Sequence, residues 1–150
     1  MTSDTQAAET VDQDKWLQTR PGERCFIRVA AADTGGAYSV VEILSLPGDS
    51  TPMHVHQNED EHLCVLEGTA RVARGDEMFD APAGTAVALP RHIPHAWGNA
   101  TDSILRMIVT CLPGGVEAIL PLMADGGDID VKALGAKFGV SGVGPLLLGR

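Results

Sequence analysis

Two histidines and a glutamate that lie close together in the sequence, His54, His56 and Glu61, have side chains that can bind a metal ion. They belong to the stretch HVHQNEDEH, residues 54–62. Alternate side chains of a strand share a face, so both imidazoles can point the same way. A short turn at QNED would bring Glu61 back beside them. Two neutral imidazoles and one carboxylate suit first-row divalent metal ions.

A further histidine ligand is available in the stretch PRHIPHAWGN, residues 90–99. It offers His92 and His95. His95 follows a proline and begins a predicted strand, so it is the better candidate to return to the metal. Taken alone, a His-x-His pair is often an ordinary polar feature of a strand surface. The metal-site interpretation therefore depends on the other ligands standing at suitable spacings.

The other polar residues of this stretch are predicted to do no chemistry. Glu59 and Asp60 are interpreted as solvent-facing turn residues. His62 should alternate with Glu61 and point away from the metal, as an exposed or structural residue.

The elements that must position these side chains are predicted to be strands. Between residues 24 and 112 short apolar runs, broken by Gly, Pro and Asp, occupy 25–31, 37–46, 61–77, 84–90 and 103–112. The run at 61–77 contains two strands joined at Glu67-Gly68. Strands of this length and spacing predict an all-β sandwich or barrel.

The C-terminal part of the chain has a helical pattern. Residues 116–124 carry an apolar face at helical spacing, although Pro121 would kink or end that helix. Asp128 or Asp130 could cap a second helix that stops at Gly139. The chain then closes with an apolar segment, residues 140–148, as extended structure. We expect a flexible arm at 1–15 and one domain at 16–150, with its barrel at about 25–112 and a helical extension at 113–150.

Composition limits the classes of partner and the compartment. The chain has 150 residues and a net charge of −9, with no basic cluster, so neither a nucleic-acid nor an anionic-membrane partner is expected. Cys25, Cys64 and Cys111 are widely spaced, which predicts buried, reduced thiols. Residues 1–14 lack the pattern of a signal peptide, and no apolar run has the length of a transmembrane helix. We expect a cytoplasmic protein.

The histidines and their flanking residues resemble the two motifs of the cupins, small β-barrel proteins. Nine of the ten marked positions match. The first motif, G-x5-H-x-H-x3,4-E-x6-G, is filled by Gly48, His54, His56, Glu61 and Gly68. The second, G-x5-P-x-G-x2-H-x3-N, is filled by Gly84, Pro90, His95 and Asn99, with His92 in place of its middle glycine.

This resemblance implies a jelly-roll (double-stranded β-helix) barrel with short C-terminal helices. It also implies that His54, His56, Glu61 and His95 hold one divalent transition metal ion per chain. Iron, manganese, nickel, cobalt, copper and zinc all remain open, because this ligand set does not choose among them.

The C-terminal stretches CLPGGVEAIL and GAKFGVSGVGPLL are similar to those of short single-domain cupins of the quercetin dioxygenase-like type. That similarity implies a dioxygenase-type oxidoreductase that uses dioxygen on a small enolisable or phenolic substrate. Glu61 would be both a metal ligand and a proton acceptor. Redox-neutral chemistry (isomerase, decarboxylase, cyclase or lyase) and non-catalytic binding of a small molecule are the alternatives. Pairing of edge strands would make a homodimer.

A substrate pocket beside the metal would have apolar walls. If Glu61 faces inward, the residues two and four positions further along its strand do too. The side chains predicted to line the pocket are Met53, Leu63, Val65, His92, Trp97 and Met107. For each apolar side chain considered singly, a place in the core is the better explanation, whereas for His92 a loop position and a pocket position are equally good explanations.

Overall fold

Two antiparallel β-sheets pack face to face in the computed structural model, which describes residues 15–125 and 127–149. Residues 1–14, most of the segment predicted as a flexible arm, lie outside the described residues. None of the helices in the described part is long and apolar enough to cross a membrane.

The larger sheet has six strands and carries alternating buried and exposed side chains. In its fifth strand across the sheet, Leu63 and Val65 are fully buried, whereas His62 and Leu66 are exposed. This period of two is that of a sheet with one face on the core and one in solvent. Across the sheet the order is β1 (Leu17–Arg20), β2 (Glu23–Val29), β3 (Ser39–Ser45), β10 (Leu105–Leu112), β5 (Asp60–Glu67) and β8 (Ala86–Leu89).

The smaller sheet has five strands and supplies the other half of the core. Its Val72 and Trp97 join Leu63, Val65 and Met107 of the larger sheet in one buried apolar cluster. Across the sheet the order is β11 (Val140–Leu146), β4 (Pro52–His56), β9 (His95–Gly98), β6 (Thr69–Arg74) and β7 (Glu77–Pro82). The predicted all-β jelly roll is confirmed.

The hairpin between β5 and β6 turns at Gly68, as the sequence predicts. Gly68 has φ 80°, and a Cβ at this position would collide with the carbonyl oxygen of Ile104. Only glycine combines that backbone angle with so close an approach. The last glycine of the first motif therefore shapes the barrel and touches no part of the candidate metal site.

The C-terminal region contains short helices where the sequence predicts them. Its helices are a 3₁₀ turn (Val116–Ala118), α1 (Ile119–Met123) and α2 (Val131–Lys137). Pro121 lies in the first turn of α1, where a helix does not use the backbone N–H that proline lacks. Asp130, one of the two predicted caps, accepts a hydrogen bond from the Ala133 N–H at 3.0 Å.

Two strands lie outside the predicted barrel boundaries of 25 and 112. The apolar segment after Gly139 forms β11, which pairs with β4 so that Gly142 stands opposite His54. At the other end, β1 pairs with β2 along the edge of the larger sheet. The barrel therefore extends into both flanking regions, because each supplies a strand to an otherwise open sheet edge.

Candidate metal centre

The four predicted metal ligands converge from both sheets. His54 and His56 lie on β4, and His95 stands opposite His54 on the neighbouring strand β9. Glu61, near the start of β5, approaches from the larger sheet. One donor atom from each of these residues lies within 4.8 Å of all the others.

The side chains are close enough to share one ion. Oε1 of Glu61 is 2.6 Å from Nε2 of His56 and 3.6 Å from Nε2 of His95. The ring centroids of His54 and His95 are 4.5 Å apart, and that of His56 is 5.2 Å from His54 and 5.4 Å from His95.

Unsatisfied buried atoms show that the group fits a metal ion. Within the described part of the chain, Oε1 of Glu61 and both ring nitrogens of His95 make no hydrogen bond of regular geometry. A buried polar atom without a partner costs roughly 1–3 kcal/mol. A divalent cation among these nitrogen and oxygen donors would satisfy several such atoms at once.

Burial and neighbouring charges set the protonation states of the candidate ligands. Burial, with the neighbouring His95, lowers the pKa of His54 to about 4, so its ring is neutral near pH 7. For Glu61, burial raises the pKa, but His56 and His95 hold it well below its usual range and keep the carboxylate ionised. Burial lowers the pKa of His56, yet the carboxylates of Glu59 and Glu61 beside it raise that pKa to about 9, so a metal ion would have to displace a proton from this ring.

Glu59 is a site residue that the sequence analysis missed. It was predicted to face solvent, but its side chain is buried, and Oε2 lies 2.9 Å from Nδ1 of His56. The available signal was its spacing of three residues from His56 across a tight turn. Asp60 has nearly the same spacing and instead accepts hydrogen bonds from Arg91, so spacing alone could not choose between them.

The other two histidines lie away from the cluster. His62 is exposed on β5, as predicted from alternation. His92 is also exposed, and its Nδ1 lies 3.1 Å from the side-chain oxygen of Gln57. Its φ of 68° shows that it adopts the left-handed backbone conformation of the glycine it replaces in the motif.

We predict that His92→Gly raises the free energy of unfolding by up to about 1 kcal/mol. A residue with a side chain loses roughly 1–2 kcal/mol in the left-handed backbone conformation, and glycine avoids this cost. Glycine's greater freedom in the unfolded chain offsets part of the stability gained in this way. Urea unfolding would measure the change. Gly84→Ala, at φ 89° with open space around its Cβ, is the matched control and should lower stability. Loss of metal from His92→Gly would contradict the assignment of His92 to the loop alone.

A cavity of about 770 Å³ opens beside the four candidate ligands. His54, His56, Glu61 and Trp97 line it, together with apolar side chains of β3 and β10 and of the C-terminal helices that cover it. Cys25 and Cys111 also line it, and burial raises the pKa of both thiols, so they stay protonated. Cys64 is only partly buried, on the outward-facing register of β5.

Of the six predicted pocket residues, Trp97 lines the cavity and the other five do not; His92 is one of these five and lies in its exposed loop. Leu63, Val65 and Met107 share the inward face with Glu61 but are fully buried in the core. The predicted alternation of inward and outward side chains along β5 is right. These side chains do not line the cavity because the two sheets pack closely in that part of the barrel and leave no space beside them. Met53 lies between inward-facing residues of β4 and packs beside Gly144 of β11.

The fold and the converging ligands define a jelly-roll barrel with a candidate metal centre. Residues 42–111, which include all four ligands, match the Cupin domain family. The match covers 70 of the 150 residues, so it shows a similarity to this family over that segment of the chain.

Similar proteins include both curated sequences and solved structures. The chain is 34% identical over 94 residues to mannose-1-phosphate guanylyltransferase 2 of Escherichia coli O157:H7. The aligned region covers 63% of this chain and 20% of that protein. It spans about one fifth of the length of the first curated relatives it matches.

Two solved structures illustrate the shared fold. KdgF from Halomonas sp. superposes with a TM-score of 0.62 at 20% identity, covering 71% of this chain and 94% of that one. The polyketide cyclase RemF from Streptomyces resistomycificus gives a TM-score of 0.59 at 22% identity, covering 65% and 72%. At these identities the similarity concerns the fold.

Proposed function

We propose that this protein is a metal-dependent cupin enzyme that acts on a small molecule held in the 770 Å³ cavity. The observation that carries the proposal is the convergence of three histidines and one carboxylate on the wall of that cavity. A metal bound there would polarise an oxygen-bearing substrate and supply redox or Lewis-acid chemistry. His54, His56, Glu61 and His95 would hold one divalent transition metal ion per chain.

The reaction we favour is of the dioxygenase type, on an enolisable or phenolic substrate with dioxygen as co-substrate. Glu61 supports this proposal by its position, because its buried carboxylate lies at the cavity wall, where it can meet the proton that such a substrate loses. The cavity walls are mostly apolar, which lowers the polarity of the surroundings of that proton transfer. Redox-neutral catalysis is the second candidate, because the ligand set also suits zinc, which has no redox chemistry.

The charged residues around the cavity favour a substrate that carries no charge in the part distant from the metal. Arg20 lines the cavity, but its guanidinium is held by Asp49 at 2.6 Å and by Glu23 at 2.6 Å. Lys132, the other lysine or arginine among the described lining residues, is exposed on α2. A phosphate group distant from the metal would therefore find no free buried cation. The sugar phosphate named for the guanylyltransferases fits this cavity poorly.

The test combines metal loading with an oxygen electrode. Tag-free protein would be loaded separately with iron(II), manganese, cobalt, nickel, copper or zinc, then mixed with acetylacetone or 4-nitrocatechol as enolisable and phenolic probes. We expect oxygen consumption with at least one redox-active metal and none with Glu61→Gln, which keeps the side chain's shape but cannot accept the proton.

Exchange of the acetylacetone CH₂ protons for deuterium, without oxygen uptake, would support redox-neutral chemistry instead. Probe binding with neither result would support a binding protein, and a chain that binds no metal would overturn the proposal.

A further inference from the structure

The three histidines of the candidate metal centre differ in the hydrogen-bond partner of their Nδ1 atom. Nδ1 of His54 donates to the backbone carbonyl of Pro52 at 2.7 Å. Nδ1 of His95 makes no hydrogen bond within the described residues. Nδ1 of His56 alone faces a carboxylate, that of Glu59, at 2.9 Å.

The position of Glu59 is a costly one for a carboxylate. The residue is only 4% exposed, and its close polar contact is the ring of His56, which is itself 7% exposed. A buried carboxylate destabilises a fold unless a hydrogen-bonded partner compensates for its lost hydration. Asp60, the next residue, shows that the turn can direct a carboxylate outward, because it reaches Arg91 at the surface.

From this contact we infer that Glu59 is a positioning residue for the metal centre. Its carboxylate accepts the Nδ1–H of His56, so Nε2, which faces Oε1 of Glu61 at 2.6 Å, is the nitrogen whose lone pair a metal ion would take. It also makes His56 the strongest electron donor of the three histidines, since a ring that donates to a carboxylate donates more strongly through its other nitrogen. This inference rests on the proposed metal-dependent function.

Two substitutions separate the charge of Glu59 from its hydrogen bond. Glu59→Gln keeps an oxygen that can accept from Nδ1 but removes the negative charge. Glu59→Ala removes both. We expect the affinity for cobalt(II) to fall about 10–100-fold in Glu59→Gln, the range found when outer partners of metal ligands are changed, and further in Glu59→Ala.

The experiment measures cobalt(II) binding to the full-length chain by competition with a chelator, together with the visible absorption bands of the bound cobalt. These bands report the donor strength and geometry of the ligands, so a shift in Glu59→Gln identifies an effect on the metal centre. Asp60→Asn is the matched control in the same turn and should leave both the affinity and the spectrum unchanged. Urea unfolding of the metal-free proteins shows how far each variant changes the fold.

The outcomes separate this inference from the proposed function. If parent and Glu59→Gln bind cobalt(II) with the same affinity and spectrum, Glu59 only closes the turn and the inference is overturned. A loss of metal-free stability with an unchanged cobalt spectrum would overturn it as well. A parent chain that binds no cobalt(II) would overturn the proposed function and this inference together.

Discussion

Purified His95→Ala is expected to retain less than about a tenth of the metal bound by the parent, which should hold about one ion per chain. His95 is 1% exposed, and both its ring nitrogens lack hydrogen-bond partners among the described residues. Removing it leaves three of the four donors and a space beside Glu61. His54→Ala should have the same effect, because His54 stands opposite His95 on the paired strand.

The measurement is metal content by mass spectrometry of tag-free protein after loading and desalting. His62→Ala is the control that the chain offers, since His62 adjoins Glu61 on β5 but is exposed on the outer face. It should keep the parent's metal content. Because His95 is buried, circular dichroism must show that His95→Ala is folded. A folded His95→Ala or His54→Ala protein with a full complement of metal would refute the four-ligand site.

The ligand set was predictable because it depends on local geometry that sequence spacing fixes. His54 and His56 are two apart on a strand, and a four-residue turn returns Glu61 to the same neighbourhood. His95 was the better candidate because it follows a proline and begins a predicted strand; the cupin motif agreed with that choice, and the structure places His95 opposite His54. The left-handed backbone at His92 likewise agrees with the glycine expected in that motif.

The features that the sequence did not reveal depend on contacts between distant parts of the chain. Whether Leu63 lines a cavity or fills the core depends on how closely the two sheets approach each other along β5. The spacing of residues in the sequence does not reveal that distance. The choice between Glu59 and Asp60 as the buried carboxylate depends on a small rotation of one turn, and Arg91 from another loop decides it by binding Asp60. The pairing of β11 with β4 joins residues more than eighty positions apart.

Asn99, the last residue of the second motif, is expected to matter for stability more than any polar residue outside the metal centre. Its side chain is fully buried, and its amide nitrogen donates to the carbonyl oxygens of Ser45 at 3.0 Å and Ser103 at 2.7 Å. Its oxygen accepts from the backbone N–H and the hydroxyl of Thr101 at 3.0 and 2.7 Å. All four hydrogen-bonding positions of the amide are therefore used.

We predict that Asn99→Ala lowers the free energy of unfolding by about 3–5 kcal/mol, because it removes four hydrogen bonds and leaves buried partners unsatisfied. Asn99→Asp should cost a similar amount, since it keeps the shape but sets a carboxylate against two carbonyl oxygens. Urea unfolding measures both, and Asn58→Ala, at an exposed site, should change stability by less than about 0.5 kcal/mol. At low temperature the folded fraction of Asn99→Ala should still bind one metal ion per chain. A stable Asn99→Ala protein that had lost its metal would instead assign this motif residue to the site.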